Sequence, residues 1–348
     1  MTRTIDFRYH VIRDGATFCE LRAAEGSEPR ISMDAGGDIK TKLSGSFLPP
    51  EEAVNWLTDA IRPVMILDGV QHPLGLFLPS KVDEIDDGAS RRIRIDAYDR
   101  GWIVRDHKTE SLLYFQSGTN YLDAVNSLLM ACGITLISAV PTSATLNEDR
   151  EDWEIGTSSL DIINELLGEI NYGDLWFDAS GTAILEPKAT PTADNIEHIL
   201  DENSIESLMI PGITSSTDFY SQPNVFLCIC SNSDKAAGMA AMAENANPQS
   251  PLSIARRGRR IMKVVRLNNI ASQAELQLYA DRMVTDSLLK GEVLSVSTCL
   301  LPGYGVGDVI ALRYGELSAI CTESRWSMDL SPGGQMQHTL ERAVMNLD

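Results

Sequence analysis

The sequence predicts an α+β protein that is mainly β, with two strand-rich regions separated by a small helical insert. Three observations support this fold class. Apolar and polar residues alternate with a period of two in the N-terminal part of the chain, and strand-like runs return beyond residue 192. Asp-Gly dipeptides separate the N-terminal runs at spacings typical of antiparallel strands. Helical periodicity with capping residues occurs in the middle of the chain and once more near residue 280.

The first strand-rich region spans residues 1–114. Its first strand alternates apolar with polar residues, the apolar ones being Ile5, Phe7, Tyr9 and Val11. Tight turns are expected at Asp14-Gly15, Asp68-Gly69 and Asp87-Gly88. We also expect a strand over residues 74–78 that Pro79 ends, and another over 92–98. Short strands with such turns favour an antiparallel barrel or sandwich.

The insert spans residues 115–192 and contains two helices and a hairpin. Asn120 with Asp123 predicts the start of one helix, and Ser158 with Asp161 the start of the other. Each helix has an apolar stripe, and we expect Gly133 and Gly173 to end them. Strands near 175–177 and 183–185 form the predicted hairpin, and the proline-rich stretch 187–194 marks the domain boundary.

The second strand-rich region spans residues 193–348. Residues 224–230 are apolar on both faces, which predicts a central strand or one that faces another subunit. An irregular loop is expected over 243–260, and one helix between Ser272 and Gly291. Two further strands, 293–300 and 309–314, flank a predicted glycine-rich turn, 302–308.

Composition excludes several classes of function. The 348 residues have a net charge of -20, and so acidic a surface repels nucleic-acid phosphate in general. The six scattered cysteines indicate free thiols and a reducing compartment. The N-terminus has no apolar core of a signal peptide, and no apolar run is long enough to cross a membrane.

A search for catalytic and metal-binding motifs predicts neither an enzyme nor a cofactor. Cys228-x-Cys230 lacks the second pair of ligands that a structural zinc needs, and the Asp83–Gly88 loop lacks the oxygen ligands of a calcium site. Acidic pairs that could serve a glycosidase occur in the insert, but 49 carboxylates make such pairs common by chance. These pairs are Asp149 with Asp152 and Glu165 with Glu169.

One cluster of basic residues stands out in the acidic chain. It consists of Arg256, Arg257, Arg259 and Arg260, with Lys263 close by. Contact with a neighbouring subunit or partner is the favoured interpretation. A solvated loop and contact with nucleic acid are the alternatives, although no aromatic residues are interleaved for base stacking.

Three stretches, taken in order, resemble the tail hub proteins of bacteriophages, also called baseplate hub or tail-associated proteins, which have relatives in contractile injection systems. The stretches are IRPVMILDGVQHPLGLFLPSKVDEIDDGASRRIRIDAYDR (61–100), SGTNYLDAVNSLLMACGI with WEIGTSSLDIINELLGEINYGDLWFDASGTAILEP (117–134 and 153–187), and NPQSPLSIARRGRRI with the following helix and the GYGVGD strand pair (from 247 onwards).

The resemblance implies two tail-tube-like antiparallel β-barrel domains with a small α+β insert and no catalytic residues. It implies a homotrimer at the tail tip or baseplate, in which two barrels per chain join a six-fold tail tube to a three-fold tip. Implied partners are the distal tail or tail-tube protein, the tape-measure protein, and tip or fibre proteins. DNA would pass through the channel without specific binding. The protein would be made in the host cytoplasm and reside in the virion.

Two alternative functions stay open from the sequence. One is a peptidoglycan hydrolase of the tail tip, which needs a cleft with perturbed carboxyl groups. The other is a receptor-binding module, which would favour exposed aromatic residues at loop tips, whereas aromatic residues make up only 6% of this chain.

Overall fold

Alternating apolar strands form the first β unit. The computed structural model describes residues 3–88, 90–205, 208–218, 222–230, 238–248, 250–267, 273–289 and 292–342. The strands of this unit are β1 Ile5–Arg13, β2 Ala16–Leu21, β3 Arg30–Asp34, β4 Thr41–Phe47, β5 Ala60–Leu67, β6 Val70–Pro73, β7 Leu78–Asp86 and β8 Arg91–Tyr98.

Six of these strands close into a ring. Antiparallel ladders join β5 to β1, β1 to β2, β4 to β8 and β8 to β7. Two single bridges complete the circuit, Ala23 with Phe47 and Ile61 with Phe77. Closure removes free strand edges and places the alternate apolar side chains inside, where Val11, Leu43 and Ile95 are fully buried.

The predicted Asp-Gly turns at residues 14–15 and 68–69 lie where the sequence places them. Asp14 and Gly15 have φ angles of 50° and 79°, and Asp68 and Gly69 have 50° and 84°. Two successive positive φ angles match the right-handed twist of the flanking strands, so each turn joins a two-residue hairpin. The prediction for Pro79 is wrong, because β7 starts at Leu78 and continues through Pro79. The ladder shifts register between Pro79 and Lys81, and this irregularity accommodates a residue without a backbone N–H.

The insert follows directly. Its elements are α1 Gly101–Asp106, α2 Tyr121–Ala131, β9 Ile137–Ala139, α3 Ser159–Glu169, β10 Trp176–Phe177 and β11 Ala183–Leu185. The side chains of Asn120 and Ser158 cap α2 and α3 as predicted, each accepting a hydrogen bond from a first-turn N–H. Asn171, with φ of 62°, follows the end of α3 in place of the predicted Gly173. Asn tolerates the left-handed conformation, so no glycine is needed there.

The remaining elements are a 3-10 turn Ala193–Asn195, β12 His198–Asp201, β13 Met209–Ser216, β14 Val225–Cys230, β15 Met239–Glu244, α4 Ile254–Arg257, β16 Met262–Leu267, α5 Gln273–Leu289, β17 Glu292–Cys299, β18 Val309–Tyr314, β19 Leu317–Asp329 and β20 Gln335–Arg342. The predicted helix is α5, whose proposed limits Ser272 and Gly291 lie outside the described residues. The predicted loop over 243–260 instead contains the end of β15 and the short helix α4.

These elements form two units with separate cores. The second β unit contains β12, β13 and β17–β20, in the order β13-β17-β20-β19-β18-β12. The α/β unit contains β14–β16 and α5. Strand β14 is central there, antiparallel to β15 and parallel to β16, so both of its edges are paired within the chain.

One strand joins the two β units. Strand β19 pairs with β18 through its first half and with β3 through Arg325–Asp329. The first core consequently includes residues from the C-terminal part of the chain, namely Leu300, Trp326, Met328, Leu330 and Met336. The fold class predicted from the sequence, mainly β with an α+β insert, is confirmed. The predicted limits 1–114, 115–192 and 193–348 remain a prediction.

No helix in the described parts of the chain combines the length and the apolar character required to cross a bilayer. All six cysteines are free thiols, of which four are buried, Cys132 is half-buried and Cys299 is exposed.

Candidate functional site

The junction between the two β units contains a buried polar network. A bulge in β19 lies between Glu323 and Arg325, where β19 changes partners from β18 to β3. The Glu323 carboxyl lies 2.7 Å from His338 Nδ1, and His338 Nε2 lies 3.0 Å from the Thr298 hydroxyl. Three adjacent strands, β17, β19 and β20, are thereby linked through side chains.

Tyr304 extends this network towards a second histidine. Its ring stacks on His198 at 4.0 Å between centroids and contacts His338 at 4.9 Å. His198 Nε2 lies 2.9 Å from Asp308 Oδ2, which also accepts a hydrogen bond from the Gly305 N–H at 2.7 Å. The sequence predicts that residues 302–308 form a turn between two paired strands. This prediction is wrong, because β17 and β18 are not neighbours in the sheet. Residues 302–308 cross the junction and place Tyr304 between two histidines.

Burial determines the charge of the central pair. Both side chains are 0% exposed. Burial raises the pKa of Glu323 well above its ordinary value of 4.5 and lowers the pKa of His338 to about 3. Within the part of the chain that the structure describes, oxygen Oε2 of Glu323 has no hydrogen-bond partner, which costs more for a carboxylate than for a neutral carboxyl group. Both pKa shifts favour the uncharged forms of the pair, in which Glu323 donates its proton to His338 Nδ1 and Nε2–H of His338 donates to Thr298.

We expect the stability of the protein to be highest in mildly acidic solution because of this pair. Above pH 6.5 the unfolded chain holds a proton on neither group, whereas the folded pair retains one, so stability falls as pH rises, by at most about 1.4 kcal/mol per pH unit. Below pH 4.5 the unfolded chain holds two protons and the folded pair one, so stability falls again. Urea unfolding between pH 4 and 9 measures both limbs.

A matched pair of variants tests whether Glu323 causes the loss of stability above pH 6.5. Glu323→Gln removes the retained proton and should flatten the decline above pH 6.5, whereas Glu316→Gln, on an exposed side chain, should not. His198 contributes in the same direction. Burial alone would lower its pKa, but the hydrogen bond and charge of Asp308 raise it, so this stabilisation is lost as pH rises through the raised pKa. An unchanged slope in Glu323→Gln would contradict the neutral pair.

A cavity of about 220 Å³ lies beside the junction. Parts of the first β unit, the insert hairpin and the 302–308 segment line the cavity. Four of the lining residues are aromatic, namely Trp176, Phe177, Tyr304 and Trp326. The Asp99 carboxylate also lies in the cavity wall. It accepts hydrogen bonds from Thr41 and from the Gly101 N–H, so these groups of the protein fix its position. The cavity marks the place where three units of the fold meet.

The acidic residues considered for catalysis make structural contacts within the insert. Arg150 is only 2% exposed and forms ion pairs with Asp152, Glu165 and Glu169 at 2.8 to 3.2 Å. Asp149 accepts hydrogen bonds from the Ser117 N–H and the Tyr114 hydroxyl. These contacts hold the chain before α3 against the helix.

Among the described residues, no group of three or more His, Cys, Asp or Glu side chains is arranged so that it could hold a metal ion. Cys228 and Cys230 face α5 in the core of the α/β unit. Burial raises the pKa of the Cys228 thiol, which favours the unreactive protonated form.

The four arginines of the basic cluster lie at one end of the α/β unit. Arg256 donates to the Pro248 carbonyl at 3.0 Å and Arg257 to the Gln222 carbonyl at 2.5 Å. Arg260 pairs with Glu244 at 2.7 Å, and the carbonyl of Arg259 accepts a hydrogen bond from Asn224. Helix α4 and Gly258, with φ of 65°, shape this segment, so it is a folded corner of the unit.

Sequence reasoning missed the buried network because the histidines are isolated along the chain. A signal was present, however. In the last strand the inward positions are Met336, His338 and Leu340, so strand alternation places a polar side chain in the core. A buried polar side chain requires a partner, and alternation in β19 places Glu323 inward in the same way.

Comparisons with known proteins identify the fold. No family model matches the chain. No curated protein matches it either. Among solved structures, the tail protein from Neisseria meningitidis MC58 superposes with a TM-score of 0.69 at 14% identity, over 97% of both chains. The 43 kDa tail protein of prophage MuSo2 from Shewanella oneidensis superposes with a TM-score of 0.70 at 8% identity, over 97% of this chain and 98% of that one.

The chain has the fold of phage tail proteins. The resemblance predicted from the sequence is thus confirmed at the level of the fold. A third structure, the E. coli c3393 protein, is described as a type VI secretion component similar to the T4 tail proteins gp27 and gp5. It superposes with a TM-score of 0.52 at 9% identity, over 99% of this chain and 76% of that one. The tail protein fold therefore accommodates this chain over nearly its whole length.

Proposed function

We propose that this chain is a structural, non-catalytic hub at the tip of a phage-type tail, where three copies form a ring. The observation that supports this most directly is the continuous sheet that joins the two β units through β3 and β19. This sheet holds the two β units side by side, and adjacent β units of a ring would be arranged in the same way. Three chains then supply six β units, which match a six-fold tube on one side and a three-fold tip on the other.

The proposed partners follow from this position. The tail-tube or distal tail protein binds one face of the ring, and tip or fibre proteins bind the other, with the tape-measure protein in the channel. The net charge of -20 supports the passage of DNA without specific binding, because the wall repels phosphate. No cofactor is required for this role.

The mass of the purified chain tests the trimer. Light scattering should give about 115 kDa, three times the chain mass of 38.2 kDa, and electron microscopy should show a ring with six lobes around a channel. A mass of one chain at all concentrations, including in the presence of the tail-tube protein, would contradict the proposal. Clearing of a peptidoglycan suspension by the purified chain would contradict its non-catalytic part.

A further inference from the structure

One face of the sheet in the α/β unit is apolar and, among the described residues, only partly covered by its own chain: Val225 at one end is buried, whereas Leu227 and Ile229 are half-buried. Helix α5 packs on the other face, where Leu276 and Ala280 contact Cys228 and Cys230. The free face has a continuous row across three strands, because Leu227 lies between Met242 on β15 and Val264 on β16. The exposed side chains of this face are Met242 at 49%, Met262 at 49% and Val264 at 41%.

Arginines border this free face. Arg266 pairs in register with Ile229, so its side chain is on the same side as Val264. Among the described residues Arg266 forms no ion pair. Arg260 lies beside Met242, with its Nη2 at 3.6 Å from the sulfur. Arg260, at the end of the basic cluster, and Arg266 therefore border the free sheet face; this surface is here called the basic face, and it lies in a chain whose net charge is -20.

The basic face points away from its own insert. Helix α5, on the opposite side of the sheet, contacts the insert through Arg282, which donates to Asn171 at 2.9 Å. Lys188 and Asp286 form a second contact at 2.8 Å. Because the helix lies between the sheet and the insert, the insert of the same chain does not reach the basic face.

The insert presents a surface of the opposite character. Residues 109–117 run antiparallel to 149–157, with backbone hydrogen bonds between Phe115 and Arg150 and between Thr109 and Thr157. Outward-pointing apolar residues on this ribbon are Leu112 at 70%, Tyr114 at 54% and Ile155 at 61% exposure. Exposed carboxylates surround them, namely Glu110, Asp149, Glu151, Asp152 and Glu154. We call this surface the acidic ribbon.

We propose that the basic face of one copy binds the acidic ribbon of the next copy. The inference rests on the proposed ring and specifies the surfaces that close it. On the basic face Arg260 is paired with Glu244, whereas Arg266 forms no ion pair among the described residues, so this face has an excess of positive charge beside its exposed apolar side chains. The acidic ribbon combines exposed apolar side chains with an excess of negative charge, so contact covers the apolar groups and brings opposite charges together.

The charge pattern also sets the type of contact. A two-fold pairing of the basic face with itself would bring arginines of both copies together. A head-to-tail contact between two different surfaces avoids this repulsion, and such contacts generate closed rings. Nucleic acid is a poorer occupant, because phosphates would pair with Arg260 and Arg266 but leave Met262 and Val264 exposed to water.

Charge reversal on each surface tests the contact. Arg260→Glu with Arg266→Glu, or Glu151→Lys with Glu154→Lys, should raise the dissociation constant of the trimer on the order of a hundredfold, measured by light scattering over a dilution series. Combining all four substitutions should restore the trimer. The control is Arg91→Glu with Arg92→Glu at the exposed tip of β7–β8, which adds the same charge elsewhere and should neither dissociate the ring nor rescue the lysine pair.

Crosslinking gives a readout that does not depend on dissociation. In a Cys299→Ser background, which removes the exposed native thiol, Met262→Cys with Ile155→Cys should form covalent dimers and trimers with a short bismaleimide. Unchanged circular dichroism and urea midpoints show that each variant folds.

The outcomes separate the interface from the hub. A wild-type trimer that neither reversal weakens, or that the four-fold variant does not restore, overturns the proposed interface and leaves the hub intact. A wild-type monomer under all conditions overturns both. Loss of duplex-DNA binding in Arg260→Glu with Arg266→Glu, with the trimer unchanged, overturns the interface in favour of a nucleic-acid contact.

Discussion

A fragment of residues 1–114 should not fold, although it contains every strand of the first β unit. Five side chains of its core come from Leu300, Trp326, Met328, Leu330 and Met336. Truncating a single large core side chain typically costs about 2–5 kcal/mol, and domains are stable by only about 5–15 kcal/mol. Strand β3 also loses the ladder with β19. Circular dichroism of the fragment should lack a cooperative thermal transition.

The insert provides the matched control for this experiment. All buried side chains of its core lie between Val104 and Leu185, so a fragment of residues 101–188 retains the whole cluster. We expect this fragment to fold and to unfold cooperatively in urea. Cooperative unfolding of 1–114 would show that the C-terminal strand is dispensable for the first β unit.

Replacement of Arg150 by Ala should destabilise the insert by about 3–5 kcal/mol at neutral pH, because removing one partner of a buried ion pair leaves charges uncompensated. Glu169 is affected most. Burial already raises its pKa, and the Arg150 guanidinium opposes that rise with two hydrogen bonds of 2.8 and 2.9 Å. The variant also loses the stacking of Arg150 over Trp153, with the guanidinium carbon 4.6 Å from the ring centre.

The pH dependence of the Arg150→Ala effect distinguishes charge from lost packing. Because burial raises the pKa of Glu169, protonation of this carboxyl group in acidic solution should shrink the penalty, whereas a packing defect would persist. Urea unfolding of the 101–188 fragment measures the difference. Arg105→Ala, which removes an exposed pair with Asp106, should change stability by less than about 1 kcal/mol. An Arg150→Ala penalty equally large at pH 4 and pH 7 would contradict the electrostatic account.

Local features of the fold were accessible from the sequence. Asp14-Gly15 and Asp68-Gly69 specify their hairpins through backbone preferences of two residues. Asn120 and Ser158 mark helix starts because their side chains replace missing backbone partners. Each of these signals acts over a few residues, so it survives without knowledge of the rest of the chain.

Long-range features were not accessible in the same way. The ladder between β3 and β19 joins residues as far apart in sequence as Arg30 and Asp329, and neither segment contains a pattern that predicts its pairing partner. Glu323 and His338 are recognisable as inward polar residues, but their partnership depends on which strands are neighbours. The arginine cluster is visible in the composition, but the apolar residues near Arg260 come from strands β14–β16 and from their register.

The β3–β19 ladder also determines when the protein can finish folding during synthesis. Arg30 donates to Asp329, a partner 299 residues later. At about 5–20 residues per second the ribosome needs roughly 15–60 s to make that partner. The insert can fold meanwhile, because its core is local, but the first β unit must wait with part of its apolar core unfilled. Synthesis of residues 325–329 therefore sets the earliest time at which the first β unit can be completed.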